Sequence, residues 1–512
     1  MKKLSKLLAA VLALALLASA CGGSDGDDTA EVDTSAIDDA QAEADAARAD
    51  AEAARADAEA AQAAAEDAQA DAEAAQAAQA DAEAAAEASA AEAEEAAAAA
   101  AAAVEDEEPA RPFEGEIVRV TGPERSPDEW NSLEAAMVPF EEATGMQVIY
   151  TGSADWEAEI NVQLEANNPP DISIFPQPGK LADFAREGFV LPLPDDVLGA
   201  VSENWNEAAM GFGLVDGTQF GVPNKNDLKS LVWHKPDRFA ENGYDIPQTW
   251  DELLALTDQM IADGNTPWCI GIESGQATGW TFTDWTEDLM LRFNGPEVYD
   301  QWVTNEVPFA DERVVAIFEE ILSLWNTPDA VFASGGSIAT TNHSSGPAEG
   351  LANDDCMMVR QASFFSSRLP EGSSEDIGVF YFPSVDENRP VLGAGTLAGA
   401  FQDRPAVWAV MEYFGSPEYA NLRQQAQREA KGGGLSGFNT ANLNVDRSNW
   451  ADLESSFIDI LQNAAVLRFD GSDLMPADVG AGSFWTQATA MVNGEISPAD
   501  AAAAIDATWP TE

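Results

Sequence analysis

The side chains that could break bonds are few in this chain and poorly placed for it. Only two histidines occur, His234 and His343. A Ser/His/Asp relay or a His-ligated zinc would have to be built around one of them. The three cysteines, Cys21, Cys269 and Cys356, show no CxxC spacing. The 6 tyrosines are scattered without an adjacent pair, unlike a clustered-Tyr iron site. Gly432–Gly434 is a glycine run lacking the Lys-Ser/Thr ending of a phosphate loop. A glycosidase needs only two carboxylates, and the 90 Asp and Glu supply those in any number. No catalytic residue, metal or cofactor is expected. What the chain does hold is flat aromatic surface, in 14 Trp. Near them stand groups suited to gripping a polar molecule: Glu124 and Arg125, Ser153 and Asp155 beside Trp156, and Gln177. Carboxylates accept several hydrogen bonds at once, while Arg and amides donate. The pattern is that of binding.

The elements that must position these groups alternate. Glu116–Thr121 reads as a strand, and Ser126-Pro127-Asp128-Glu129 opens a helix running from Trp130 to Ala143. Met146–Tyr150 and Ile172–Phe175 read as further strands, with helices over Asp155–Ala166 and Lys180–Glu187. Strand–helix alternation predicts an α/β fold with parallel pairing. Ligands in such sheets bind beyond the carboxyl ends of the strands. The loops there are Gly122–Ser126, Gly152–Asp155 and Pro176–Gly179, which carry the polar groups named above.

Ahead of this lies a different kind of sequence. Residues 1–20 (MKKLSKLLAAVLALALLASA) have a basic start, a short apolar run and small residues before Cys21. They read as an export signal, and they resemble a lipoprotein signal in which Cys21 is lipidated and anchors the chain to a membrane. Ala18 stands where such signals usually carry Leu. Residues 21–112 form an acidic linker and an Ala-rich stalk with a seven-residue repeat (ADAARAD, AEAARAD, AEAAQAA). The seam of alanines allows a coiled coil or a lone solvated helix. Alanine buries little area and the acidic faces repel, which weighs toward a lone or loosely paired helix, with self-association weak. Pro109 and Pro112 end it.

At 512 residues the chain suits two or three domains. The net charge of −65 argues against nucleic acid and against a peripheral grip on anionic lipid. Export favours a Cys269–Cys356 disulfide over two separate buried thiols.

Gly217–Leu253 (GTQFGVPNKNDLKSLVWHKPDRFAENGYDIPQTWDEL) resembles the signature of family 1 extracellular solute-binding proteins, the sugar receptors of ABC importers. Within it Thr249 can cap the helix that Trp250-Asp251-Glu252 opens. Ser274–Arg292, Cys356–Phe365, Val391–Phe401 and Ser472–Trp485 resemble the α-glucoside-binding subgroup. The resemblance covers most of 115–512. It implies a two-lobed periplasmic-binding-protein-like fold of type II over 113–512, with lobe 1 about 113–224 and 394–440 and lobe 2 about 225–393 and 441–512. It implies a monomeric head, an interlobe sugar ligand, and permease subunits as partners. It brings the two cysteines together in the second lobe. It adds Trp280, Asp284, Trp285, Arg360, Gln361, Gly395, Thr396 and Trp485 to the expected sugar contacts. Thr396 stands where the family commonly has Asp. Packing alternatives exist for each. Trp130, Trp302, Trp325 and Trp408 sit among apolar helical residues and read as core. Trp156 and Trp285 read as core or site, Trp280 as loop, Asp284 as contact or helix cap, Arg125 as contact or surface ion pair. Two other readings of the whole remain: a structural envelope lipoprotein, and a receptor for another polar solute such as a sugar alcohol.

Overall fold

A computed structural model describes residues 111–385 and 389–510. The export signal, Cys21 and the Ala-rich repeat lie outside the described residues. Among those described, no helix is long and apolar enough to cross a membrane.

The first strand, β1 (Ile117–Gly122), alternates outward and inward residues, with Val118 and Val120 fully buried. The helix Pro127–Thr144 follows. Ser126 caps it by accepting from the Glu129 N–H, Pro127 occupies its first turn, and Gly145 ends it at φ 79°, a conformation glycine adopts without strain. β2 (Gln147–Gly152) and β3 (Ile172–Phe175) both pair parallel with β1, and their helices are Trp156–Glu165 and Pro178–Arg186. After the hairpin β4 (Leu214–Val215) and β5 (Thr218–Gln219) comes β6 (Val222–Leu228).

The chain then enters a second sheet. β7 (Leu231–His234), β8 (Trp268–Cys269), β9 (Val331–Phe332), β10 (Met358–Arg360) and β11 (Gly378–Tyr381) lie in the order β11-β7-β10-β8-β9. It returns through β12 (Val391–Ala400), which pairs antiparallel with both β3 and β6, and parallel with β13 (Leu467–Phe469). The last crossing follows β13, after which Gly471–Asp506 packs on the second lobe. Helix Trp250–Ala262 carries the capping box foreseen at Thr249, closed reciprocally by Glu252.

One core runs from the first sheet at Val118 and Ile174 to one side of the second at Trp233 and Val359, and another lies on the second sheet's other side. That second core holds Trp250, Trp285, Trp302 and Trp325 with Phe282, Phe318 and Met475. Trp156 is buried against Phe175, its indole N–H donating to Ser173 Oγ. Trp156 and Trp285 are therefore core residues; Trp130 and Trp408 pack half-buried on the core of the first sheet. Cys269 and Cys356 form the expected disulfide, Cα atoms 5.5 Å apart, between the ends of β8 and β10. Closing an 87-residue separation is worth about 4–5 kcal/mol in the chain-entropy description.

His234, at the end of β7, sits between Phe239 and Phe380 with its Nδ1 unpartnered among the described residues. Burial lowers its pKa from 6.5 to about 4. The unfolded chain therefore binds a proton near pH 6.5 that the folded chain refuses until about pH 4. Stability from this ring is complete above pH 6.5 and is lost as pH falls toward 4. Calorimetric melting points should drop across that window, and more gently in His234→Phe. An identical slope in the variant would clear His234 of the effect.

Candidate functional site

The carboxyl ends of β1, β2 and β3 face the second lobe across a crevice. The first lobe contributes Pro123, Glu124 and Arg125 after β1, Ala154 and Glu157 after β2, and Pro176 and Gln177 after β3. The crossing strands contribute Lys225, Asp227, Gly395 and Thr396. The second lobe supplies Trp280, His343, Phe364, Arg368 and Trp485, and the turn after β13 supplies Asp470, Ser472 and Asp473.

One wall is aromatic. Gly279, at φ 112°, ends its loop and turns Trp280 into the first residue of helix Trp280–Val303, so the residue read as loop is helical. The Trp280 ring lies 5.0 Å from His343 and 6.1 Å from Phe364. Lys229 Nζ stands 5.2 Å over its face, close enough for cation–π attraction.

Behind this wall runs a buried ladder of alternating charge. Lys229 contacts Asp470 and lies 2.8 Å from Asp284. Arg360 reaches Asp284 at 3.0 Å and also contacts Asp288, which Arg292 holds at 2.5 Å. Burial opposes the Lys229 charge, yet Asp284 and Asp470 outweigh it and hold the ammonium well above its usual pKa. Oxygens of Asp284, Glu287 and Asp470 lie within 4.8 Å of one another, and the ammonium of Lys229 supplies cationic charge to two of the three. Burial, with Asp470 and Asp284, pushes the Glu287 carboxyl well above the ordinary range.

The remaining cations of the crevice are mostly engaged. Lys225 lies 3.5 Å from Asp227 and 3.8 Å from Glu124, and Arg368 is 2.9 Å from Glu129. Glu124 is also held at 2.5 Å by the buried Arg423. Several polar atoms, by contrast, are buried without a hydrogen-bond partner among the described residues: Thr396 Oγ1, Trp485 Nε1 and Glu124 Oε1. A buried donor or acceptor left unmade costs about 1–3 kcal/mol, so such atoms are poised for a ligand. Burial and the neighbouring Asp470 raise the Asp473 carboxyl well above its ordinary range.

Of the expected contacts, Glu124, Arg125, Trp280, Gly395, Thr396 and Trp485 line the crevice. Others do not. Asp284 is fully buried one step behind, with Arg360 beyond it. Gln361 donates to the His343 carbonyl and braces the wall from behind. Ser153 and Asp155 lie off the lining, where their neighbour Ala154 takes the place. Lys225, Asp227, Lys229, Phe364, Asp470 and Asp473 were not foreseen. The alternation Lys225-x-Asp227-x-Lys229 could have flagged one face of an extended segment. Asp470 and Asp473 meet Lys229 from more than two hundred residues away, a convergence without local signal.

Two sheets, strands crossing between them, and a polar and aromatic crevice where the lobes meet define a two-lobed binding protein. Solved structures share this fold. The bacterial solute receptor AcbH superposes at TM-score 0.65 with 18% identity, covering 77% of this chain and 98% of its own. Maltose-bound MalE3 of T. maritima superposes at 0.61 with 16% identity, covering 77% and 98%. A sequence profile described as bacterial extracellular solute-binding protein matches residues 129–421. The α-glucosides-binding periplasmic protein AglE of Rhizobium meliloti (strain 1021) is 39% identical over 415 residues, 78% of this chain and 88% of the relative. The osmoprotective compounds-binding protein GgtB of Synechocystis sp. is 36% identical over 394 residues, 75% and 90%. The chain belongs to the bacterial extracellular solute-binding protein family, whose members are receptors of ABC transporters and not enzymes.

Proposed function

We propose that this chain captures an α-glucoside or a related neutral oligosaccharide between its lobes and delivers it to the permease of an ABC importer. The observation that carries the reading is the crevice itself. The indole of Trp280 and the buried, unpaired polar atoms of Thr396 and Trp485 line one crevice. A sugar has an apolar C–H face and a rim of hydroxyls, and this lining matches both. Because Lys225, Lys229 and Arg368 already face carboxylates, the crevice offers little to an ionic ligand. Glu124, Arg125, Thr396, Asp473 and Trp485 are assigned to the hydroxyl rim, Trp280 to the C–H face, and Gly395 to a close backbone approach. Its likeness to AglE supports the α-glucoside class.

A second reading has its own support. The likeness to GgtB favours a small compatible solute, such as a sugar alcohol. Calorimetric titration with maltose, trehalose, sucrose, maltotriose and mannitol separates the two. Heat from the disaccharides at one site per chain is expected. Heat from mannitol alone would favour the second reading, and silence from all five would overturn both.

The lipidated Cys21 and the Ala-rich segment complete the proposal as anchor and tether. Cys21→Ser should move the protein from the membrane fraction to the soluble extracytoplasmic fraction. Retention in the membrane fraction would contradict an anchor at Cys21.

A further inference from the structure

Beside the crevice, just past Gln177 on one lobe and Asp473 on the other, the two lobes touch directly, and that contact is built without room to spare. Helix Pro178–Arg186 belongs to the first lobe, where its Leu181 and Phe184 pack in one core with Trp156 and Phe175. Residues Gly471–Met475 belong to the second, where Met475 is fully buried in one core with Trp285 and Phe484. Gly179 lies directly against this segment. A methyl group built on it would overlap the Met475 carbonyl oxygen and stand 2.8 Å from the Leu474 carbonyl oxygen. Four residues further along, Asp183 Oδ2 accepts a 3.0 Å hydrogen bond from the Ala477 N–H. Neither Gly179 nor Asp183 lines the crevice.

Gly179 is the second residue of its helix, and glycine is a poor choice there on local grounds. Alanine would stabilise the helix by up to about 1 kcal/mol. Nothing in the backbone requires glycine either, since its φ is not in the left-handed region. Among the described residues, the nearest atoms a side chain there would meet all belong to the opposite lobe.

We propose that Gly179 and Asp183 form a closing latch with Leu474–Ala477: positioning residues that set ligand affinity through the closed state without touching ligand. The proposal rests on the receptor reading above for its effect on affinity. The latch contact itself does not, and it is read separately. Observed affinity scales with the fraction of molecules able to reach the binding-competent closed form. A substitution that blocks the latch therefore weakens binding while leaving each lobe intact.

The test uses the full chain with Gly179→Ala, Asp183→Ala and Asp183→Asn. Exchange of the Ala477 amide, followed by hydrogen–deuterium exchange with and without maltose, reports the latch directly. It should be protected in the parent protein, at least with maltose present. Protection should fall in Gly179→Ala and Asp183→Ala and persist in Asp183→Asn, whose amide oxygen still accepts. Maltose affinity should fall about tenfold or more in the first two, with faster release. The melting temperature of ligand-free Gly179→Ala should be unchanged or raised, which a merely structural glycine would not allow. An Ala477 amide unprotected in the parent under both conditions overturns the latch whether or not any sugar binds. Parent-like maltose affinity in Gly179→Ala overturns it while leaving the receptor intact. A parent that binds no sugar yet shows Ala477 protection lost in Gly179→Ala supports the latch and sinks the ligand assignment alone.

Discussion

Lys229→Met should destabilise the globular part by about 3–5 kcal/mol, the usual consequence of removing one partner from a buried ion pair. The side chain is close in volume, so packing alone does not explain such a loss. Asp470, 1% exposed, is left without a cation, and Asp284, fully buried, keeps only Arg360. Glu287 crowds both. Stranded carboxylates respond by taking up protons. The Asp284 carboxyl, which burial raises to about 6 even with Lys229 in place, then rises further, and the Asp470 carboxyl, which Lys229 holds below its ordinary range against burial, rises above it, so the variant loses stability as pH rises through the raised values. The deficit of Lys229→Met relative to the parent should therefore be smaller near pH 5 than near pH 8, measured by urea unfolding. A deficit independent of pH would mean that Lys229 acts by packing and not by charge. Binding should fail as well, because Asp470 and Ser472, which line the crevice, are fixed through this pair.

Trp280→Ala should lower sugar affinity by about 2–3 kcal/mol, roughly 30- to 160-fold, the range for truncating a buried aromatic anchor. Trp280 is placed to be such an anchor by three features. Gly279 turns the chain so that the indole stands at the head of its helix. His343 and Phe364 hold the ring from the side. Lys229 lies over its face, tying the aromatic wall to the charged ladder behind. Trp285, one turn further along, provides the control: it is buried between Trp268, Trp325 and Phe382. Trp285→Phe should change melting temperature and leave affinity nearly unchanged. Equal affinity losses from both substitutions would remove the distinction between wall and core.

The parts of this architecture that are local in sequence were legible there. Ser126 and Thr249 announce helix starts, and both cap their helices as expected. The β1–β2–β3 run with its loops pointed to Glu124 and Arg125, and both face the crevice. The pair Cys269–Cys356 needed only an oxidising compartment and the absence of rivals. The ladder was half visible. Asp284 and Arg360 were recognised as chemistry, but their burial behind the wall depends on which face of helix Trp280–Val303 meets β10. Helical spacing around Asp284 does not announce that face, since Thr281 to Arg292 is buried on every side. Lys229, Asp470 and Asp473 were missed because they are assembled by strand crossings. β6 and β13 both flank β12, and that register brings residue 229 to residue 470. No window of sequence contains both.

Gly179 makes the same point from the opposite direction. In sequence it is a glycine beside a proline at a helix start, which invites a turn. In the structure its lack of a side chain is spent on the opposite lobe. Long-range contact, and not local conformation, decides why that residue is glycine.

The most direct measurement of the central claim is the stoichiometry and enthalpy of maltose or trehalose binding, by isothermal calorimetry, to the parent protein and to Trp280→Ala. One site per chain in the parent, weakened by at least about an order of magnitude in the variant, is the predicted result. Saturable binding that the variant leaves unaltered would place the sugar somewhere other than the crevice between the lobes and contradict the account.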